Sequence, residues 1–283
     1  MERRLIINAD DYGLTPGISQ GILDAHLKGV VTSTTVMVGS PYAADAIRLA
    51  LQSAPRLGLG LHLTLSGTGR PVSPPSEIPS LVREDGRLYP LEDWLARISE
   101  FNAADIIHEL RAQVERFIQM AGKPPDHLDG HHHAVYRHPV ALNELCDLAL
   151  NYAIPIRNVW SDKPIDATIH RLLEGTSIEW RATKAQELKN ILTMKQPRPS
   201  WPDRFEDTFY DATSTLGDLL LILTSLPEGV TEIMCHPGYA DAALDSDYTT
   251  RRDDEVKTLT HNSVREVLRA EGIELISFGD LRA

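Results

Sequence analysis

Two adjacent carboxylates, Asp10 and Asp11, follow the apolar run Leu5-Ile6-Ile7 and precede Gly13. A buried strand favours leucine and isoleucine, and an unpaired carboxylate at its tip is costly. A divalent cation is the cheapest partner for such a pair. Asp-Asp-Tyr-Gly is also a good turn, and aspartate a common helix N-cap, so for this dipeptide alone turn chemistry ranks first. The histidines change the balance. His62 lies in the alternating run 57–65, His131-His132-His133 follows Leu128-Asp129-Gly130, and His236 ends the run 231–235. Each alone has an ordinary reading: a core imidazole bonded to a carbonyl, a solvated turn, a strand-end cap. Cys235 reads as a small buried hydrophobe. Four such coincidences at four predicted strand ends point elsewhere. Two imidazoles and one carboxylate make an open site for Zn²⁺ or a similar ion. Such an ion acidifies bound water and polarises a carbonyl. A second carboxylate can take the water's proton, and a separate histidine can protonate a leaving amine. These are the parts of metal-assisted amide hydrolysis.

The elements that must position these groups alternate. Thr15 and Pro16 predict a helix start, with Ile18, Ile22, Leu23 and Ala25 on a helical period and Gly29 as C-cap. Residues 30–38 read as a second strand, Ser40-Pro41 opens a helix ending near Pro55, and 57–65 is a strand with leucines on one face and His62 on the other. A proline-rich excursion, 67–90, is too long for an ordinary connection. Helices are predicted over 91–98, from Asn102 to Gly122, from Pro139, and over 182–194, 216–226 and 256–268. Further strands are expected before Asp129 and over 154–159, 207–210, 231–235 and 273–278, while 162–203 is less legible. Strand-helix alternation implies parallel pairing, and parallel strands bring their carboxyl ends to one side. Residues distant in sequence should therefore converge.

The chain has 283 residues, 42% hydrophobic and 24% charged, enough for the core of one domain spanning 1–283. A net charge of -12 and a pI near 5.3 argue against nucleic acid and anionic membranes as partners. No apolar stretch approaches the roughly 20 residues that span a bilayer. The start has no apolar h-region, so no signal peptide is expected. Cys146 and Cys235 cannot make a disulfide scaffold. The expectation is a cytoplasmic protein.

Residues 5–13, 29–38, 57–65, 127–133 and 231–239 together resemble the YdjC-like carbohydrate deacetylases, the group that includes chitooligosaccharide deacetylase and the hopanoid-biosynthesis deacetylase. The resemblance covers most of the chain and is weakest across 162–204. It implies an α/β fold, a distorted (β/α) barrel of mainly parallel strands, NodB-like in logic, with the excursion after the third strand. It implies one divalent metal ion, Mg²⁺ or Zn²⁺, held by Asp11, His62 and His131, with Asp10 as general base and His236 as general acid. The implied substrate is an N-acetylated sugar or oligosaccharide, and the products are acetate and a free amine. Arg252 matches a basic position after the His-Pro-Gly strand and would orient the base or contact substrate; a solvated arginine at a helix start is an equal alternative. One departure is visible. Relatives often continue the run as His-x-His-x-His and reach proline sooner, whereas here Ala134 and Val135 follow His133 and Pro139 comes late. That bears on the substrate side of the loop, leaving the roles of His132 and His133 open.

Two other functions compete. One keeps the metal but changes the bond, to a phosphoester or another amide; the lack of a Gly-rich phosphate loop weighs mildly against phosphate. The other is a non-catalytic, metal-stabilised sugar-binding protein, with Tyr12, Trp160, Trp201 and Tyr239 as stacking candidates, most of them better read as core or loop anchors. Retention of both Asp10 and His236 favours catalysis. The long excursion is a natural subunit contact, so a homodimer is the oligomer to expect.

Overall fold

The computed structural model describes residues 2–67, 69–160, 164–246 and 248–281. Strand β1, Arg3–Tyr12, is the axis of a seven-stranded sheet, and its residues from Leu5 onward are all buried. The sequence order of the other strands is β2 (Ser33–Val36), β3 (Gly58–Leu63), β4 (Leu128–Gly130), β5 (Arg204–Glu206), β6 (Gly229–Cys235) and β7 (Ile273–Leu275). β6 pairs along one edge of β1, from Arg3 opposite Gly229 to Ala9 opposite Cys235. The other edge is shared by β7 at the start of β1 and β2 at its end. β3 and β4 extend the sheet beyond β2, and β5 extends it beyond β6. All of these pairings are parallel.

Irregular chain spans the space between the outermost strands. Ile156 forms a parallel bridge with Leu128 of β4, and its N–H donates to the Ser200 carbonyl just ahead of β5. The sheet thus curls toward closure with helices packed outside it, which is the expected distorted (β/α) barrel. The strand expected over 154–159 is reduced to this bridge because Pro155, with no N–H, interrupts the ladder.

The local signals that specify helices are visible in their caps. Thr15 accepts the Ile18 N–H ahead of Pro16, and Asn102 accepts the Ala104 N–H at the start of Ala103–Ala121, which Gly122 ends at φ 70°. Gly29 is not the expected C-cap. The first helix closes on Lys28, and Gly29 is required by close packing, since a Cβ there would lie 2.5 Å from the Leu259 carbonyl oxygen. The helix expected over 256–268 is two, Thr250–Leu259 and Asn262–Ala270; the His261 side chain between them caps the second by accepting the Ser263 N–H. Within 162–203 a helix Ile165–Leu172 precedes Ile178–Met194. The short strand forms at Arg204–Glu206, just before the expected 207–210.

The excursion after β3 is ordered by acids on the helix Ala103–Ala121. Buried Glu109 accepts the N–H groups of Val72 and Ser73, and Asp105 accepts the N–H and hydroxyl of Ser80. Ile78, Leu81 and Leu88 pin the same segment into the core.

β1 ends irregularly. Its register against β2 slips between Ala9 and Tyr12, and Asp11 has a φ of 72°. Successive side chains of a regular strand point to opposite faces. The bulge and the left-handed Asp11 turn neighbouring carboxylates toward one place.

Candidate active site

The expected convergence is observed. Asp10 and Asp11 at the end of β1, His62 in β3, His131 just after β4 and His236 just after β6 all line one cavity of about 420 Å³ at the carboxyl end of the sheet. Gly67, Gly69 and Pro90 of the excursion form part of its wall.

Three donor atoms form a triangle. His62 Nε2 lies 3.6 Å from Asp11 Oδ1, His131 Nδ1 lies 3.2 Å from the same oxygen, and the two ring nitrogens are 3.3 Å apart. Among the described residues, buried Asp11 Oδ1 has no hydrogen-bond partner. Ligand atoms about 2.1 Å from a tetrahedrally held ion stand about 3.4 Å from one another. The triangle therefore fits a divalent ion, and all three of its residues line the cavity. Asp11's other oxygen accepts from Arg252 Nη2 at 2.6 Å, which fixes the carboxylate. Burial favours the neutral acid, but Arg252 and His131 outweigh it and hold Asp11 well below the usual carboxylate range.

His62 is prepared from behind. Its Nδ1 is 2.6 Å from Asp129 Oδ1, so a proton on Nδ1 is donated to Asp129 and Nε2 points at the triangle. Burial opposes charge on His62, yet Asp129, Asp10 and Asp11 overcome it and raise its pKa to about 9. The pocket attracts positive charge where an ion would sit. Asp129 is itself fully buried and also accepts from Asn8, Thr35 and Arg157.

Arg157 is the buried counter-charge. Its guanidinium grips both oxygens of Asp10, at 2.8 and 2.7 Å, and donates to Glu232 Oε1 at 2.8 Å. Burial pushes the Asp10 carboxyl up, but Arg157 and then His62 drive it far below its ordinary value, so Asp10 stays ionised. Buried Asp10, Asp11, Asp129 and Glu232 face two buried guanidiniums, those of Arg157 and Arg252. Burial raises the Glu232 pKa to about 7, and the three other carboxylates still outnumber the guanidiniums, an excess of negative charge that suits a cation.

His236 stands opposite the triangle, its Nε2 3.9 Å from Asp10 Oδ2. Burial lowers its pKa to about 4, against the pull of Asp10 and Asp11. Its backbone N–H donates to Glu255 Oε2 at 2.5 Å, and Glu255 Oε1 accepts from the Tyr248 hydroxyl at 2.5 Å.

Three further places bear comparison with the sequence expectation. Tyr12, a substrate-stacking candidate, is fully buried, its hydroxyl donating to the Ala46 carbonyl at 2.8 Å; it is a core anchor because the bulge turns Asp11, not Tyr12, into the cavity. Arg252 reaches the site through Asp11, the implied ligand, rather than through the base or as a solvated side chain. His132 and His133 both take left-handed backbone (φ 53° and 54°) and line the cavity wall, His132 bonded to Ser66. Sequence reasoning missed Arg157, Glu232, Glu255 and Tyr210. A signal existed for two of them: Arg157 and Glu232 are opposite charges inside apolar strand-like runs, which require one another.

Comparisons with known proteins bear on the family and the fold. The model of the YdjC-like protein family matches residues 4–270. A carbohydrate deacetylase of Enterococcus faecalis is 35% identical over 99% of this chain and 98% of its own length, and one of Brevibacillus brevis is 35% identical over 98% and 99%. The crystal structure of a "putative cellobiose-phosphate cleavage protein" from Enterococcus faecalis superposes with a TM-score of 0.84 at 34% identity, each chain covered completely. An uncharacterized protein of Agrobacterium tumefaciens, at 13% identity and a TM-score of 0.54, covering 99% of this chain and 89% of its own, shares the fold alone. With the family model matching nearly end to end and relatives above 30% identity across the whole length, this chain belongs to the YdjC-like family.

Proposed function

We propose that this protein hydrolyses the N-acetyl group of an amino sugar or oligosaccharide, releasing acetate and a free amine, with a divalent ion held by Asp11, His62 and His131. The observation that carries the reading is the triangle of Asp11 Oδ1, His62 Nε2 and His131 Nδ1, with a second carboxylate and a separate imidazole on its cavity side. The relatives named carbohydrate deacetylase support removal of an acetyl group from a carbohydrate.

When bound, the ion acidifies a water and polarises the acetamide carbonyl. Asp10 is the general base. Arg157 binds both its oxygens and keeps it ionised at every working pH, which makes it a weak base that depends on an acidified water. His236 is the general acid: neutral at rest, since burial holds its pKa at about 4, it takes up the proton released in the attack and gives it to the departing nitrogen as the C–N bond breaks. A carbon–oxygen bond forms to the former water, and the proton it loses passes by way of Asp10 to His236. The spacing of 3.9 Å between His236 Nε2 and Asp10 Oδ2 supports the reading that both groups serve one reacting carbonyl.

The test is acetate release from a di-N-acetylated chitooligosaccharide by the purified protein, before and after chelation and after return of Zn²⁺ or Mg²⁺. Activity lost on chelation and restored by metal is the expected result, with Asp10→Asn inactive yet still binding metal. Acetate release indifferent to chelation, or phosphate release from a sugar phosphate in its place, would reject the reading.

A further inference from the structure

The wall next to His236 carries an aromatic platform that neither the sequence motifs nor the metal triangle explain. Tyr210 lines the cavity and is 44% exposed, although it is a large aromatic side chain. One face of its ring is covered by Tyr248, stacked at 4.7 Å between centroids and 12° between planes. The His236 imidazole stands roughly perpendicular to both, 5.3 Å from Tyr210 and 5.9 Å from Tyr248.

The stack is rigidly held. The Tyr248 hydroxyl donates to buried Glu255 and accepts the Asp211 N–H at 3.1 Å, so the lower ring is tied to the backbone directly after Tyr210. Glu255 also accepts the backbone N–H of His236, which ties platform and imidazole to one carboxylate. Such bracing is unnecessary for a surface tyrosine. It preserves a fixed distance between the exposed ring and the group assigned as general acid.

A general acid must face the leaving nitrogen, and in an N-acetylated sugar that nitrogen is attached to the sugar ring. On that reading the ring lies on the His236 side of the cavity, where half-exposed Tyr210 forms part of the wall. Sugar rings present C–H groups on one face, and an aromatic plane is their natural support. We infer that Tyr210 is a substrate-positioning residue that stacks on the ring bearing the scissile acetamide, so that the site selects closed-ring amino sugars over acyclic N-acetyl amines. This rests on the deacetylase reading and adds the ring requirement to it.

The test compares wild type, Tyr210→Ala and Tyr210→Phe on di-N-acetylchitobiose and on ring-opened N-acetylglucosaminitol, with bound metal measured in each variant. Tyr210→Ala should keep its metal and raise KM for the closed-ring substrate about ten-fold. Its preference for the closed ring over the alditol should shrink by a similar factor, and Tyr210→Phe should restore both. A Tyr210→Ala enzyme with unchanged KM and unchanged ring preference overturns the inference while leaving the deacetylase reading standing. No acetate from wild type on either substrate with metal present overturns both.

Discussion

Asp129 Oδ1 meets His62 Nδ1 at 2.6 Å, and this contact decides which nitrogen of His62 faces the cavity. The fully buried Asp129 leaves the imidazole a single productive tautomer. Replacing Asp129 with asparagine removes the charge and weakens that preference. Metal affinity measured by calorimetry should fall about 10- to 100-fold with the far-ultraviolet spectrum unchanged. Wild-type affinity in Asp129→Asn would show that His62 needs no such support.

Arg157 carries the second expectation. It is the common partner of Asp10, Asp129 and Glu232, all buried. Arg157→Met leaves those acids without their cation and should destabilise the apo protein by about 3–5 kcal/mol, read as a fall in the denaturation midpoint. Arg157→Lys keeps a charge but not the two-pronged grip on Asp10, so it should recover part of the stability and little of the turnover.

Packing behind the site gives the third. A Cβ on Gly21 would sit 2.4 Å from the Gly238 Cα, and Gly238 follows His236-Pro237. Gly21→Ala must push either the helix Pro16–Leu27 or the strand end that carries His236. A cost of about 1–3 kcal/mol is expected, together with a lower kcat at unchanged metal content.

The fourth concerns pH. Burial raises the Glu255 pKa to about 7, although the Tyr248 hydroxyl, the His236 N–H and Arg252 favour its charge and oppose the shift; Asp10 adds to it. A carboxyl whose pKa is raised in the folded state binds its proton more tightly there than in the unfolded chain. Its contribution to stability is fully present below the ordinary value of 4.5 and is lost as pH climbs to about 7. Because His236 titrates with the opposite sign in an overlapping range, the prediction is a difference. Glu255→Gln should gain stability relative to wild type between pH 4.5 and 7 and hold that gain above it. A constant difference across that range in urea titrations would contradict it.

The sequence made the convergence legible because period-2 patterning and strand-helix alternation are local. Residues 57–65 place His62 opposite its leucines without any knowledge of the rest of the chain, and Asn102 and Gly122 bracket their helix from side-chain chemistry alone. What it concealed is non-local. Arg157 gains its meaning from acids on β1, β4 and β6, and only the curled sheet brings them together. Tyr210 lies where the chain leaves β5, with no periodicity to mark it, and becomes a wall only because Tyr248 arrives beneath it. Tyr12 was misleading for a similar reason, since one irregular residue before it reversed the side it faces.

The slip in β1 at Asp10–Asp11 has a bearing on protein engineering. Consecutive acids in an evenly pleated strand would look outward from opposite sides, one to the interior space and one to the helices. Copying this acidic pair onto another parallel scaffold would therefore fail unless the surplus backbone step and the reversed twist at its second member were copied as well. Shortening the loop leading into the first helix by a single position should scatter the pair as thoroughly as mutating it.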